Sequence, residues 1–264
     1  MTTDPELVDA LAGTWAAIAE IGEALSDAEW RTATALPGWT VHDVVAHIAA
    51  TEAMLLGRRV PEHHAANYDY VRNDLGRVVE DMVDWYRPWR GPDVLNEFRS
   101  VTSERLSQLR ALDEDGFTAP AWNPFGTGDV HRLLEFRLVD SWVHEHDIRF
   151  ALNFEQSWSG IAADVAYQQL RSGMGKVVAR EVAAPEGTQV QWDLGSRVFG
   201  VVVRDGRGIL AACDAPTVTL TMTEATFFQL ATGRGARDVL FAEVTYAGNA
   251  ALGARIADAM NVMV

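Results

Sequence analysis

The hydrophobic period of this chain changes once, near residue 184, and that change limits the folds open to it. Before it, apolar residues recur at spacings of three and four, as in Leu7, Leu11, Trp15, Ile18, Ile21 and Leu25. This is the stripe of an amphipathic helix. Helices are predicted over 5–25, 41–58, 75–85, 94–112, 130–151 and 161–179, with Thr40 and Asp43 forming a capping box for the second. The 94–112 helix has Arg99 and Arg105 exposed or capping. Segment 60–73, with His63 and His64, is irregular, and 117–128, rich in Pro, Gly and aromatics, reads as a loop that could wall a pocket.

After residue 184, Val- and Thr-rich segments at 188–192, 197–204, 209–213 and 217–222 read as strands. Asp205-Gly206 is a hairpin signal between two of them. A short helix over 225–231 is capped by Thr223 and ended by Gly233, a strand comes next at 239–246, and a helix over 250–260 finishes the chain. The expected architecture is α+β in two domains: a helical domain over 1–183 and a small mixed domain over 184–264.

Within the 130–151 helix, Arg137, Asp140, His144 and Asp147 fall in the same arc as Leu133, Phe136, Val139, Val143 and Ile148. At about 100° per residue, Asp140 and His144 project within roughly 40° of each other, one turn apart. Buried charges persist only when paired, hydrogen-bonded or bound to metal. Two arrangements satisfy that condition: an internal Arg137/Asp140 ion pair beside a satisfied core histidine, or part of a metal site that draws a further ligand from elsewhere. Glu145 and His146 point to the other side and are expected in solvent.

Composition narrows the partners. With 22 Lys and Arg against 37 Asp and Glu, the net charge is −15, which argues against nucleic acid and for a small molecule. A single cysteine, Cys213, rules out an internal disulfide or a multi-cysteine metal site. No leader-like start and no long apolar run are evident, so a cytoplasmic protein with no membrane partner, monomeric or homodimeric, is expected.

In an antiparallel bundle, facing helices assemble metal sites from inward side chains. His47, on the face of Val44, Thr51, Met54 and Leu55, joins Asp140 and His144 as two imidazoles and a carboxylate. That set suits zinc or a similar divalent ion and leaves a coordination position open. Asp43 or Asp147 could hold the second ring nitrogen of a ligand histidine.

Gly38-Trp39-Thr40 with Ala46-His47-Ile48-Ala49, and Arg137, Asp140, His144 and Asp147, resemble motifs of the mycothiol-dependent maleylpyruvate isomerases and their relatives. The resemblance spans nearly the whole chain. It implies a DinB-like four-helix bundle followed by a sterol-carrier-like domain, and a divalent metal, usually zinc, on His47, Asp140 and His144. The characterised isomerase type carries Glu where this chain has Asp140, one methylene shorter. The resemblance also implies that Arg234, in the turn Gly233-Arg234-Gly235, holds a substrate carboxylate, which a guanidinium can do with two hydrogen bonds.

The function expected from these residues and that resemblance is a metal- and mycothiol-dependent thiol transferase or isomerase acting on a small electrophilic, anionic substrate. Two other functions fit the same residues. One is a metal-dependent hydrolase using activated water. The other is a non-catalytic protein with a structural metal that binds an apolar ligand among Trp122, Phe125, Phe199, Phe227 and Phe228.

Overall fold

A computed structural model of the protein describes residues 2–58, 62–123 and 126–263. The chain divides into two compact units, Met1–Val165 and Ala166–Val264.

In the first unit, four long helices form the bundle: α1 (Asp4–Ala24), α3 (Val41–Leu55), α5 (Gly91–Arg110) and α7 (Val130–Ala151). Each packs on two of the others, α1 on α5 and α7, and α3 on α5 and α7. The fourth helix in sequence, α4 (Asp74–Tyr86), lies against α3, and two short helices, α2 (Asp27–Trp30) and α6 (Glu114–Thr118), cover the connections. The interior is filled by residues of the stripes predicted from spacing, including Leu7, Leu11, Ile18, Val44, Phe98 and Val139, all essentially without solvent contact. A polar tie joins α1 to α7 within it, where Trp15 Nε1 donates to Ser141 Oγ at 3.0 Å.

The 117–128 segment is not the loop its composition suggests. It holds the end of α6 and an antiparallel hairpin, β1 (Pro120–Asn123) and β2 (Gly126–Asp129), whose turn lies outside the described residues. The hairpin leaves Trp122 58% exposed, so no alternation of buried and solvated residues marks it in the sequence. Phe125, like Val60 and Pro61, is outside the described residues.

The second unit contains most of α8 (Ile161–Lys176), where Tyr167 packs edge-on to Phe199 and near Phe227. The change of period lies at 184, but the greater part of α8 packs with the strands and helices C-terminal to it. Five strands, β3 (Gln189–Asp193), β4 (Val198–Arg204), β5 (Arg207–Leu210), β6 (Val218–Thr221) and β7 (Thr245–Gly248), form one sheet in the order β5-β4-β3-β6-β7. The β3–β6 pair is parallel and the others antiparallel. Trp192 and Phe199 are directly opposed across β3 and β4 and stack at 4.8 Å. Asp205 and Gly206 both take positive φ, 51° and 68°, as the two-residue turn between β4 and β5 demands.

Helices α9 (Glu224–Thr232), α10 (Arg237–Ala242) and α11 (Ala250–Asp258) complete the chain. The 239–246 strand is therefore corrected to helix α10 followed by the later, shorter β7. The buried positions there are Leu240 and Val244, while Val239 is 56% exposed. Val244 lies past the end of α10, so these two positions do not mark a helix, and the β-favouring side chains point to a strand instead. Phe199, Phe227 and Phe228 are core residues of this unit. No helix among the described residues is long and apolar enough to cross a membrane.

Candidate metal centre

The phase of α3 is set at its first turn. Asp43 Oδ2 accepts from Thr40 N and Oγ1, both at 2.8 Å, and Thr40 caps the helix in return. One turn later His47 is buried facing α7. The other helix is fixed by Asp129, whose carboxylate accepts from Arg132 N at 2.8 Å. With both ends set, Arg137, Asp140, His144 and Asp147 line one face of α7.

His47, Asp140 and His144 meet. Each offers a ligand atom, and these atoms lie within 4.8 Å of one another. The His47 and His144 rings are 4.8 Å apart and nearly perpendicular. Asp140 Oδ2 is 3.4 Å from His47 Nε2, and Oδ1 is 3.7 Å from His144 Nε2.

Hydrogen bonding within α7 matches the ion-pair reading, and His47 of α3 is what that reading leaves unexplained. The ion pair exists, with Arg137 Nη1 donating to Asp140 Oδ2 at 2.8 Å. The histidine beside it on α7, His144, is satisfied as well, with Asp147 Oδ2 3.0 Å from its Nδ1. Neither ring nitrogen of His47 has a hydrogen-bond partner, and the approach to Asp140 lacks hydrogen-bond geometry. Leaving such a group buried and unpaired is costly, so a buried imidazole normally has a partner. Two imidazoles and a carboxylate are a donor set that a zinc-like divalent ion would satisfy.

Protonation favours the same end. Burial pushes the His47 imidazole below its usual range, against the pull of Asp140, and the neutral ring is the form that binds metal. Burial alone would raise the Asp140 carboxyl, but Arg137, with the two histidines, holds it well below the usual carboxylate range.

Of the two acids considered for holding a ring nitrogen of His47 or His144, Asp147 makes such a contact: its Oδ2 lies 3.0 Å from His144 Nδ1. Asp43 is instead spent on the α3 cap and on Arg87, whose Nε donates to its Oδ1 at 3.1 Å. His63 and His64 stay outside the trio, turned to Asp84 and Asp81.

Two neighbours of the site, Trp39 and Glu52, were not assigned to it from sequence. Trp39, in the turn before α3, lies with its ring 5.3 Å from that of His47 and 6.1 Å from that of His144. Its Nε1 donates to Glu80 Oε2 on α4 at 2.9 Å. Glu52 accepts from Arg137 Nε at 2.7 Å. It lies five residues beyond His47, about 140° around the helix, so no face-sharing pattern connects the two.

The expected solvation of Glu145 and His146 is corrected, since both are buried. The chain after α7 folds back, placing His146 between Trp142 and Trp158, at 4.0 and 4.7 Å, with its Nε2 3.0 Å from the Ser157 carbonyl. Glu145 accepts from Arg149 Nε at 2.7 Å. Arg105, expected to be exposed or capping, is instead partly buried, its Nε 3.4 Å from Glu52 Oε2.

Arg234 belongs to the second unit. Gly233 ends α9 in the left-handed conformation, φ 71°, and Arg234 comes directly after it with Nη1 donating to the Thr232 carbonyl at 2.5 Å.

The family model described as the mycothiol maleylpyruvate isomerase N-terminal domain matches residues 11–149, a range that includes the whole trio. Among solved structures, the chain is similar to the crystal structure of the mycothiol-dependent maleylpyruvate isomerase, with 16% identity over 93% of each chain and a TM-score of 0.61. A histidine-to-alanine mutant of that isomerase matches at 17% identity, 93% of each chain and a TM-score of 0.59. At these identities the likeness is one of fold. Among curated proteins, none matches the chain.

Proposed function

Because the chain belongs to the mycothiol maleylpyruvate isomerase family, an enzyme family, we propose that it is a divalent-metal-dependent enzyme that uses mycothiol to act on a small, electrophilic, anionic substrate. The observation that carries this is His47: a buried imidazole with both nitrogens unpartnered, beside Asp140 and His144.

The residues that would hold the metal are His47, Asp140 and His144, with zinc the ion their chemistry fits best. Bound there, the metal supplies Lewis acidity that favours thiolate over thiol near neutral pH. The protein's own part is to keep the His47 imidazole neutral by burial, hold Asp140 ionised through Arg137 and fix the His144 ring through Asp147. Trp39 shields one side of both rings from water. Arg234 is assigned to the substrate carboxylate.

The thiolate adds to an electrophilic carbon. If the adduct of a conjugated double bond rotates and expels the thiol, the outcome is isomerisation with the thiol regenerated. If the thiol is retained, the outcome is S-transfer. The test is metal analysis followed by a screen of electrophiles with and without mycothiol. Turnover that needs both metal and thiol supports the proposal; turnover with metal alone would instead identify a hydrolase.

A further inference from the structure

Glu52 is in no candidate ligand set, yet it is completely buried between arginines from two other helices. Arg137 of α7 donates Nε to its Oε1 at 2.7 Å, and Arg105 of α5 brings Nε to 3.4 Å from its Oε2. The same Arg137 donates Nη1 to Asp140 Oδ2 at 2.8 Å. One guanidinium therefore bridges the two carboxylates.

A guanidinium is a rigid planar fork, so holding one edge fixes the direction of the other. Arg137 reaches Asp140 at the end of a long, flexible stem, and Asp140 alone would not select one rotamer of that stem. Glu52 supplies the second point of attachment. Held this way, Asp140 turns Oδ2 toward His47 Nε2 at 3.4 Å and Oδ1 toward His144 Nε2 at 3.7 Å.

We propose that Glu52 is a positioning residue for metal binding, clamping Arg137 so that the Asp140 carboxylate is held in one orientation toward His47 and His144. This rests on the metal reading of His47, Asp140 and His144. Charge alone does not explain the arrangement: Arg105 would balance Glu52 wherever the two met, but only this geometry carries the contact through Arg137 to Asp140.

The decisive variant is Glu52→Asp, which keeps the charge and removes the reach. Co(II) is the probe, read by affinity and by its visible spectrum. The expected result is Co(II) binding weakened by about 10- to 100-fold, the usual cost of losing an outer partner of a ligand, with a changed spectrum. Arg137→Lys keeps the charge but can reach one carboxylate at a time, and it carries the test if Glu52→Asp does not fold; the same loss is expected. Wild-type and variant proteins with equal Co(II) affinity and identical spectra would overturn the role while leaving the metal reading intact, even if the variants melted earlier. Wild-type protein that takes up no Co(II) would overturn both.

Discussion

His144 Nδ1 lies 3.0 Å from Asp147 Oδ2, one turn along the same helix. A carboxylate on one ring nitrogen fixes the tautomer and orientation of the ring, leaving the other nitrogen, Nε2, for a ligand. Asp147→Asn should therefore weaken divalent-metal affinity by about 10- to 100-fold while the helical content is retained. Competition of the variant and wild type for a metal indicator would show it; equal affinities would mean that Asp147 does not act on the site.

His47 is the member of the trio contributed by a second helix, so His47→Ala should lose the metal without losing the fold. Elemental analysis and circular dichroism on the same sample separate the two effects. Full metal content in the variant would break the proposed coordination.

Acid should destabilise the metal-free protein from about pH 6.5 downward. Burial lowers the pKa of both His47 and His146 below the ordinary value of 6.5, so the unfolded chain takes up protons there that the folded chain refuses. Above that pH neither state is protonated at these rings and the effect disappears. Thermal melts in chelator at pH 7.5 and 5.5 should show a lower midpoint at the acid pH, with a smaller drop for His47→Gln, which keeps only the His146 part. Equal drops in the two proteins would rule out the His47 contribution.

Arg234→Ala should leave metal content unchanged and raise KM for anionic electrophiles about tenfold or more, the scale of a lost charge-assisted hydrogen bond. Neutral electrophiles should be little affected. Identical kinetics for both classes would remove Arg234 from the site.

Ala183 is exposed and has φ 51°, a conformation that strains residues with a Cβ. Ala183→Gly removes that strain at some cost in unfolded-state entropy and should stabilise the protein by about 0.5–1 kcal/mol. Chemical denaturation is the measurement, and a less stable variant would contradict the argument.

By itself the sequence determined what local periodicity can encode. Spacing marked the bundle helices, Asp205-Gly206 marked the β4–β5 turn, and the single face shared by Arg137, Asp140, His144 and Asp147 comes from 3.6 residues per turn. His47 was legible as a partner because its motif stands on another inward-facing stripe. Tertiary structure alone decided the rest. Strand propensity at 239–246 yielded to helix α10, with Leu240 buried and Val239 in solvent, because tertiary packing overrides local preference. Glu145 and His146 are buried because the chain after α7 returns with Trp158 and covers a face that the helix alone would leave to water. Glu52 and Trp39 join the site from directions that no spacing rule connects to His47, since contacts between separate elements depend on how they pack, and packing is not periodic in sequence.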